Sequence, residues 1–462
     1  MEEFRILKGI LRPIYPADQD KRRIYSTILK LFLPATVEFG LLQLVNIFDQ
    51  IQVGGLGETA TAAVGLCGQL RTIANALFIA VNIGLTALTA RAMGEKRPEK
   101  FPALLQHGFG IILTISLFVS LLGFWAAEPV LRFMNAPNPE TLALGTAYLK
   151  ISAVGLVPLA LTTAMTAMLR GVGNTRAPMV YNSVANAVNV FLNWVLIHGR
   201  LGYPQLGVNG AALATVIGQA VAFFCAGLVC FRPKNILGMS FGALGKRLRV
   251  ETARDILRIG LPSMLETVLG RTGTLLFTRT VATLGTTLYA THAICINIQL
   301  LTGMAGQALA GTSTTLSGQS LGGKRQDLAV LYSVCTARLG LLISVALAAL
   351  YIFLGPWMIH LYNADPAIVA AGTVPLRIVA LMQPFAALQY VFAGSLRGAG
   401  DTKSVAGCYL FTQLICRPTF SYFAVRVFSL GLNGAWWSLV CAESLCAILL
   451  CRKFGAGAWL RH

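Results

Sequence analysis

Runs of apolar residues long enough to cross a bilayer, roughly 20 residues each, alternate along the chain with short polar turns rich in Gly, Asn and Pro. They fall at 28–53, 60–90, 103–126, 141–168, 176–198 and 208–231, and again at 256–282, 288–317, 330–354, 368–395, 404–428 and 432–451. The pattern predicts an all-α integral membrane protein of twelve transmembrane helices. A short amphipathic stretch (Phe4, Ile6, Leu7, Ile10, Leu11) ended by Pro13 precedes the first run. The opening lacks the basic start and small-residue cleavage site of a signal peptide, so the first run is expected to stay as a span.

Short strings recur at a nearly constant offset. LPATVE at 33–38 returns as LPSMLE at 261–266, GEKR at 94–97 as GGKR at 322–325, and NAP at 135 as NAD at 363. LRGVGNT at 169 returns as LRGAGDT at 396, and LGVNGA at 206 as LGLNGA at 430. Six spans per half insert both halves the same way up, which predicts a parallel repeat related by an axis along the membrane normal. The expected organisation is a cytoplasmic N-terminus (1–25), a six-helix lobe (26–231), a basic linker (232–255), a second six-helix lobe (256–452) and a tail (453–462).

Composition agrees with a membrane protein: 55% of the 462 residues are apolar and 12% charged, against about 25% charged in soluble chains. The net charge of +19 does not indicate a nucleic-acid partner, because the basic residues cluster in alternate turns. With the N-terminus inside, 26 Lys and Arg fall in cytoplasmic segments and three outside (Arg132, Arg200, Arg426), which places both termini in the cytoplasm by the positive-inside rule. The ten cysteines lie mostly inside apolar runs without metal spacing and read as reduced core residues.

With FD in the first span followed by VGGLG, LNWVLI followed by LGVNGAALAT, VATLGTTLYATHAI in the eighth span, and the twin RGxG[ND]T strings in register, the chain resembles the MATE family, the multidrug and toxic compound extrusion transporters. The resemblance covers nearly the whole chain. It implies two six-helix lobes flanking a cleft, and an ion-coupled antiporter of small amphipathic molecules in the inner (plasma) membrane. The partners expected are the lipid bilayer and the transported amphiphile, with the chain acting as a monomer, no cofactor, and H+ or Na+ as coupling ion.

No phosphate-cradling loop exists, since the GK pairs at Gly245 and Gly323 are both followed by Arg, so ATP is excluded as the energy source. GxGD at Gly398–Asp401 resembles an intramembrane protease string, but Asp401 falls in a turn, its repeat partner is Asn174, and no second acid faces it. A glycine turn with a helix N-cap accounts for it. An enzyme is not expected.

Ion coupling needs an ionisable group at membrane depth, where such groups are costly and functional by default. Only Glu38, Asp49, Glu266 and Glu443 lie well inside spans. Glu38 and Glu266 are repeat partners, each four residues after a Pro, which favours a structural or gating role. Asp49 pairs with Phe277, so the scaffold does not require an acid there.

Span 5 carries Asn182, Asn186, Asn189 and Asn193, within an arc of roughly 60° on a helix of 3.6 residues per turn. Interhelical hydrogen-bond glue is one reading. A site is the other: Asp49, Asn193 and Thr215 reach similar depth, and the second-half counterparts of the Asn series and Thr215 are Tyr409, Gln413, Cys416, Phe420 and Leu439, mostly without that polarity. The resemblance implies the same site, an Asp of span 1 with polar residues of spans 5 and 6, here Asp49, Asn189, Asn193 and Thr215. Several family members carry Asp at the Asn193 position, so a single carboxylate is left for coupling. Sodium-coupled members use acids of spans 7 and 10. Span 10 here has none and Glu266 lies nearer the cytoplasm, which favours protons. Asn186, Arg271 and Glu443 join Glu38 and Glu266 as secondary or gating candidates. Arg271 and Glu443, both near mid-span, are expected to pair. Otherwise the cations Arg271, Arg377 and Arg417 would line the cleft and favour anionic substrates, as a lipid flippase would require. A non-transporting scaffold would have no use for a lone buried acid.

Overall fold

The computed structural model describes residues 15–16, 18–134, 138–232 and 250–461. The amphipathic start, the string at Asn135 and most of the linker lie outside the described residues. Each predicted span coincides with a helix, and these are numbered α1–α12. The first half gives α1 (Lys21–Gly54), α2 (Glu58–Gly94), α3 (Phe101–Trp125), α4 (Pro139–Gly171), α5 (Arg176–His198) and α6 (Gly207–Cys230). The second gives α7 (Val250–Ala282), α8 (Thr286–Gly322), α9 (Gln326–Tyr362), α10 (Pro366–Gly398), α11 (402–427) and α12 (Gly431–Gly455). A short helix, Ala127–Phe133, follows α3. Among the described residues, ten helices are long and apolar enough to cross a membrane by length and composition alone. The other two spans are α7, which carries Arg258, Glu266, Arg271 and Arg279, and α11, which is not one uniform helix.

In α11 the α-helical Thr402–Tyr409 and Arg417–Tyr422 alternate with π-helical Leu410–Cys416 and Phe423–Val427. Pro418 offers no amide to the carbonyl four residues before it and its ring crowds that carbonyl. A π turn just upstream takes up the extra space. The widened turn is met by α7 at Gly273, where a Cβ would run into the Gln413 carbonyl oxygen.

The turns show that the recurring strings encode recurring backbone. Gly57 and Gly285 have φ of 106° and 101°, Lys96 and Lys324 both 57°, and Gly173 and Gly400 91° and 85°. Asp401 accepts from the Ser404 amide and Asn174 from the Ala177 amide, the N-cap reading of the GxGD string. Cys67 and Cys295 each direct the thiol to a glycine carbonyl, Gly145 and Gly372. All ten cysteines are free.

The chain divides into two compact units, the first being Val37–Leu261 and the second the described residues up to Thr36 together with those from Pro262 onward. The division falls inside α1 and α7, three residues after the helical Pro34 and directly before the helical Pro262. The start of α7 thus belongs to the first unit, where a Cβ on Gly84 of α2 would lie 2.6 Å from the Ile256 carbonyl oxygen. Phe78, Leu85, Ile112, Met165 and Ile256 share that unit's core. The start of α1 belongs to the second unit, where Ile24, Ile28 and Leu31 pack with Leu316, Leu331 and Cys335. Beside them Arg325 ion-pairs with Asp18 at 3.0 Å and Asp327 at 2.7 Å, holding both carboxyls below their usual range.

Candidate functional site

The first unit brings together the four residues expected from the sequence. Asp49 of α1 is half-buried, and Asn193 of α5, 1% exposed, donates from Nδ2 to its Oδ1 at 2.6 Å. Asn189, one turn earlier and 6% exposed, donates to Thr215 Oγ1 of α6 at 3.4 Å. With its amide turned over, Nδ2 reaches Asp49 Oδ1 at 3.3 Å and Oδ1 accepts from the Thr215 amide at 3.2 Å. The turned orientation satisfies both ends of the amide, the criterion by which such groups are assigned. Thr215 is held in place by donating to the Ala211 carbonyl at 2.9 Å. Gly218 lets α6 approach α5 here, since a Cβ would fall 3.1 Å from that of Asn189. The result is one carboxylate whose oxygen faces amide donors.

The Asn series divides by depth. Asn182 donates to Glu38 Oε1 at 2.7 Å, while Asn186 Nδ2 is buried without a partner. Asn182 and Asn193 are 11 residues apart, as are Glu38 and Asp49, which is three turns on each helix. One face of α5 therefore meets α1 at two levels. Asn186, between them, is the internal control for the site. Replacing Asn189 or Asn193 with Leu should impair transport or shift its pH dependence, whereas Asn186→Leu should cost no more than a membrane hydrogen bond, about 0.6 kcal/mol. Paired transport and thermal-unfolding measurements check this, and equal responses at all three positions would make the series structural.

Glu38, 2% exposed, also pairs with Arg170 Nη2 at 2.8 Å. In the second unit Glu266 accepts from Arg397 Nη2. Arg170 and Arg397 are the arginines of LRGVGNT and LRGAGDT, so two recurring strings meet in a recurring ion pair. Both acids stand out in the sequence but their partners do not, although the arginines lie in the recurring strings.

The expected Arg271–Glu443 pair does not form. Arg271 is exposed, and none of the ion pairs among the described residues includes it. The charge acting on Glu443 is that of Arg417, with the side chains of Gln389 and Gln413 beside it. Arg417 is 7% exposed, lies 4.5 Å over the Phe277 ring and directs Nη1 to Thr274 Oγ1 at 3.3 Å and Gln413 Oε1 at 3.5 Å. The widened turn of α11 thus places a cation over Phe277, the repeat counterpart of Asp49. Burial on an aromatic face, next to a half-buried acid, gave Arg417 a better partner set than Arg271 could offer. Arg71 of α2, the charged side chain that acts on Asp49, is not among the residues expected from the sequence. An isolated Arg within the apolar run 60–90 was the signal for it.

The sequence profile of the MatE family matches the chain twice, over residues 34–195 and 262–423. Among relatives, the "Probable multidrug resistance protein NorM" of Thermotoga maritima is 29% identical over 450 residues, 96% of this chain and 95% of the relative. The "Multidrug resistance protein NorM" of Aliivibrio fischeri is 25% identical over 442 residues, 94% of each chain. A solved structure described as an outward-facing conformation of a multidrug resistance MATE family transporter of the MOP superfamily superposes with a TM-score of 0.87 at 22% identity, covering 94% of this chain and 96% of that one. That likeness shows the fold.

Proposed function

Because the chain belongs to the MATE family of membrane transporters, we propose that it is a proton-coupled antiporter that exports amphipathic small molecules by alternating access of two six-helix lobes. The observation that carries this reading is Asp49, an acid at membrane depth set among Asn189, Asn193 and Thr215, where the repeat has Phe277. An acid that the scaffold does not require, at a depth where charge is costly, has binding and release of a cation as its use.

In this mechanism a proton on Asp49 and a cationic substrate exclude one another. Entry of the proton neutralises the carboxylate and weakens its hold on the cation, and loss of the proton restores it. Free-energy linkage then converts inward proton flow into outward substrate flow. Asn193 and the turned Asn189 both present N–H groups to the carboxylate. This favours a group switched by protonation, since a sodium ion would ask for oxygens on that side. The names of the NorM relatives support drug-like cargo. Gradient-driven uptake of a fluorescent cation into liposomes tests the reading. A second reading, a flippase for a lipid-linked or anionic amphiphile, draws on the buried Arg417.

Both termini lie in the cytoplasm in this reading, on the 26-to-3 distribution of Lys and Arg. In a background freed of reactive cysteines, Asn363→Cys should react with an impermeant thiol reagent in intact cells and Lys324→Cys should be protected. The reverse pattern would invert the topology.

A further inference from the structure

A cavity of about 590 Å³ lies within the first unit between α2, α3, α4 and α6. Its size falls in the range of small-molecule sites, about 300–1,000 Å³. The walls are almost wholly apolar, and α3 supplies Ile115, Phe118, Val119 and Leu122, of which Phe118 and Leu122 are exposed at the rim. The polar exceptions include Arg71, Thr215 and Gln219.

Arg71 stands 13 residues into α2 and 23 from its end, some 20 Å and 35 Å along the axis, where a guanidinium is expensive unless it is used. Asp49 attracts it, and the titratable side chains of Cys67 and Tyr148, both in the cavity wall, also feel its charge. No ion pair closes between Arg71 and any acid among the described residues, so its five N–H donors are not consumed by a carboxylate. Thr215 belongs both to the cavity wall and to the Asp49 cluster. The cavity therefore offers a long apolar surface and one cation, and its cation is the counter-charge of the coupling acid.

We infer that this cavity binds amphiphiles with an anionic head, the head against Arg71 and the apolar body along the α3 wall, as an effector of exchange and not as exchanged cargo. The distinction follows from charge. An anion at Arg71 competes with ionised Asp49 for the same guanidinium, so it binds more tightly when Asp49 is neutral, and by reciprocity it favours the neutral form. Proton and anion reinforce each other, whereas antiported ligands must exclude each other. The effector role rests on the coupling reading of Asp49, but occupancy of the cavity does not.

The test uses the full chain in phosphatidylcholine nanodiscs with cis-parinaric acid as fluorescent probe. Binding should be displaced by dodecanoate and not by dodecyltrimethylammonium. Arg71→Gln should weaken it roughly tenfold or more, the loss expected for a charge-assisted hydrogen bond. Leu122→Trp, which fills the rim, should weaken it while leaving Arg71 in place, and Asp49→Asn should tighten it. Displacement by phosphatidylglycerol would assign the anionic head to a bilayer lipid, and resistance to it would assign a free single-chain anion. Equal displacement by cationic and anionic competitors, or unchanged binding in both Arg71→Gln and Leu122→Trp, would overturn the site. Tightening absent in Asp49→Asn would overturn the effector role alone. Loss of coupled transport is read in a separate assay, so failure of the cavity and failure of the coupling reading are distinguishable.

Discussion

Asp49→Asn should reduce gradient-driven transport to the level of protein-free liposomes while the protein folds, inserts and still binds a fluorescent cation weakly. Asn keeps the planar shape of the side chain and an oxygen that can accept from Asn193 Nδ2, the 2.6 Å bond of the native cluster. What it removes is the proton. A carrier cannot link substrate movement to a gradient it no longer senses, so the loss is expected in coupling and not in stability. The informative comparison is with Glu38→Gln, which removes a buried acid of the same first unit that is already paired with Arg170. That variant should lose stability and keep the dependence on the gradient. Coupled transport by Asp49→Asn at the native rate would remove Asp49 from the mechanism.

The second large effect is expected at the recurring ion pair. Arg397→Met leaves Glu266, 7% exposed, without its cation. Stranding one partner of a buried pair costs about 3–5 kcal/mol, whereas replacing both by apolar residues is often neutral. Thermal unfolding in detergent should therefore show a marked loss for Arg397→Met and recovery in the double variant Arg397→Met with Glu266→Leu. Arg170→Met should be milder, because Glu38 keeps the hydrogen bond from Asn182 at 2.7 Å. A double variant no better than the single would show that the two residues act separately.

The twelve helices were legible because bilayer length and hydropathy impose the same pattern on every span, and the repeat was legible because the turns reuse the same glycines and caps. The Asp49 cluster was legible for a related reason: an acid with no counterpart in the repeat stands out against a scaffold that otherwise copies itself. Pairings between distant helices were less so. Helical spacing gives the depth of Arg271 and Glu443 but not the direction each faces, and the π turn before Pro418 changes that direction for Gln413 and Arg417. The exchange of the first turns of α1 and α7 between units is set by packing around Gly84 and Leu331, which no linear pattern displays. Arg71 was visible as a lone charge in an apolar run, but its meaning comes from a cavity that exists only once four helices are assembled.

The most direct test of proton coupling at Asp49 is transport of a fluorescent cation by the reconstituted wild-type chain under one imposed gradient at a time. With sodium absent, a pH gradient should drive accumulation that a proton ionophore collapses, and a sodium gradient at equal pH should drive none. Accumulation that follows sodium and ignores pH would contradict the account.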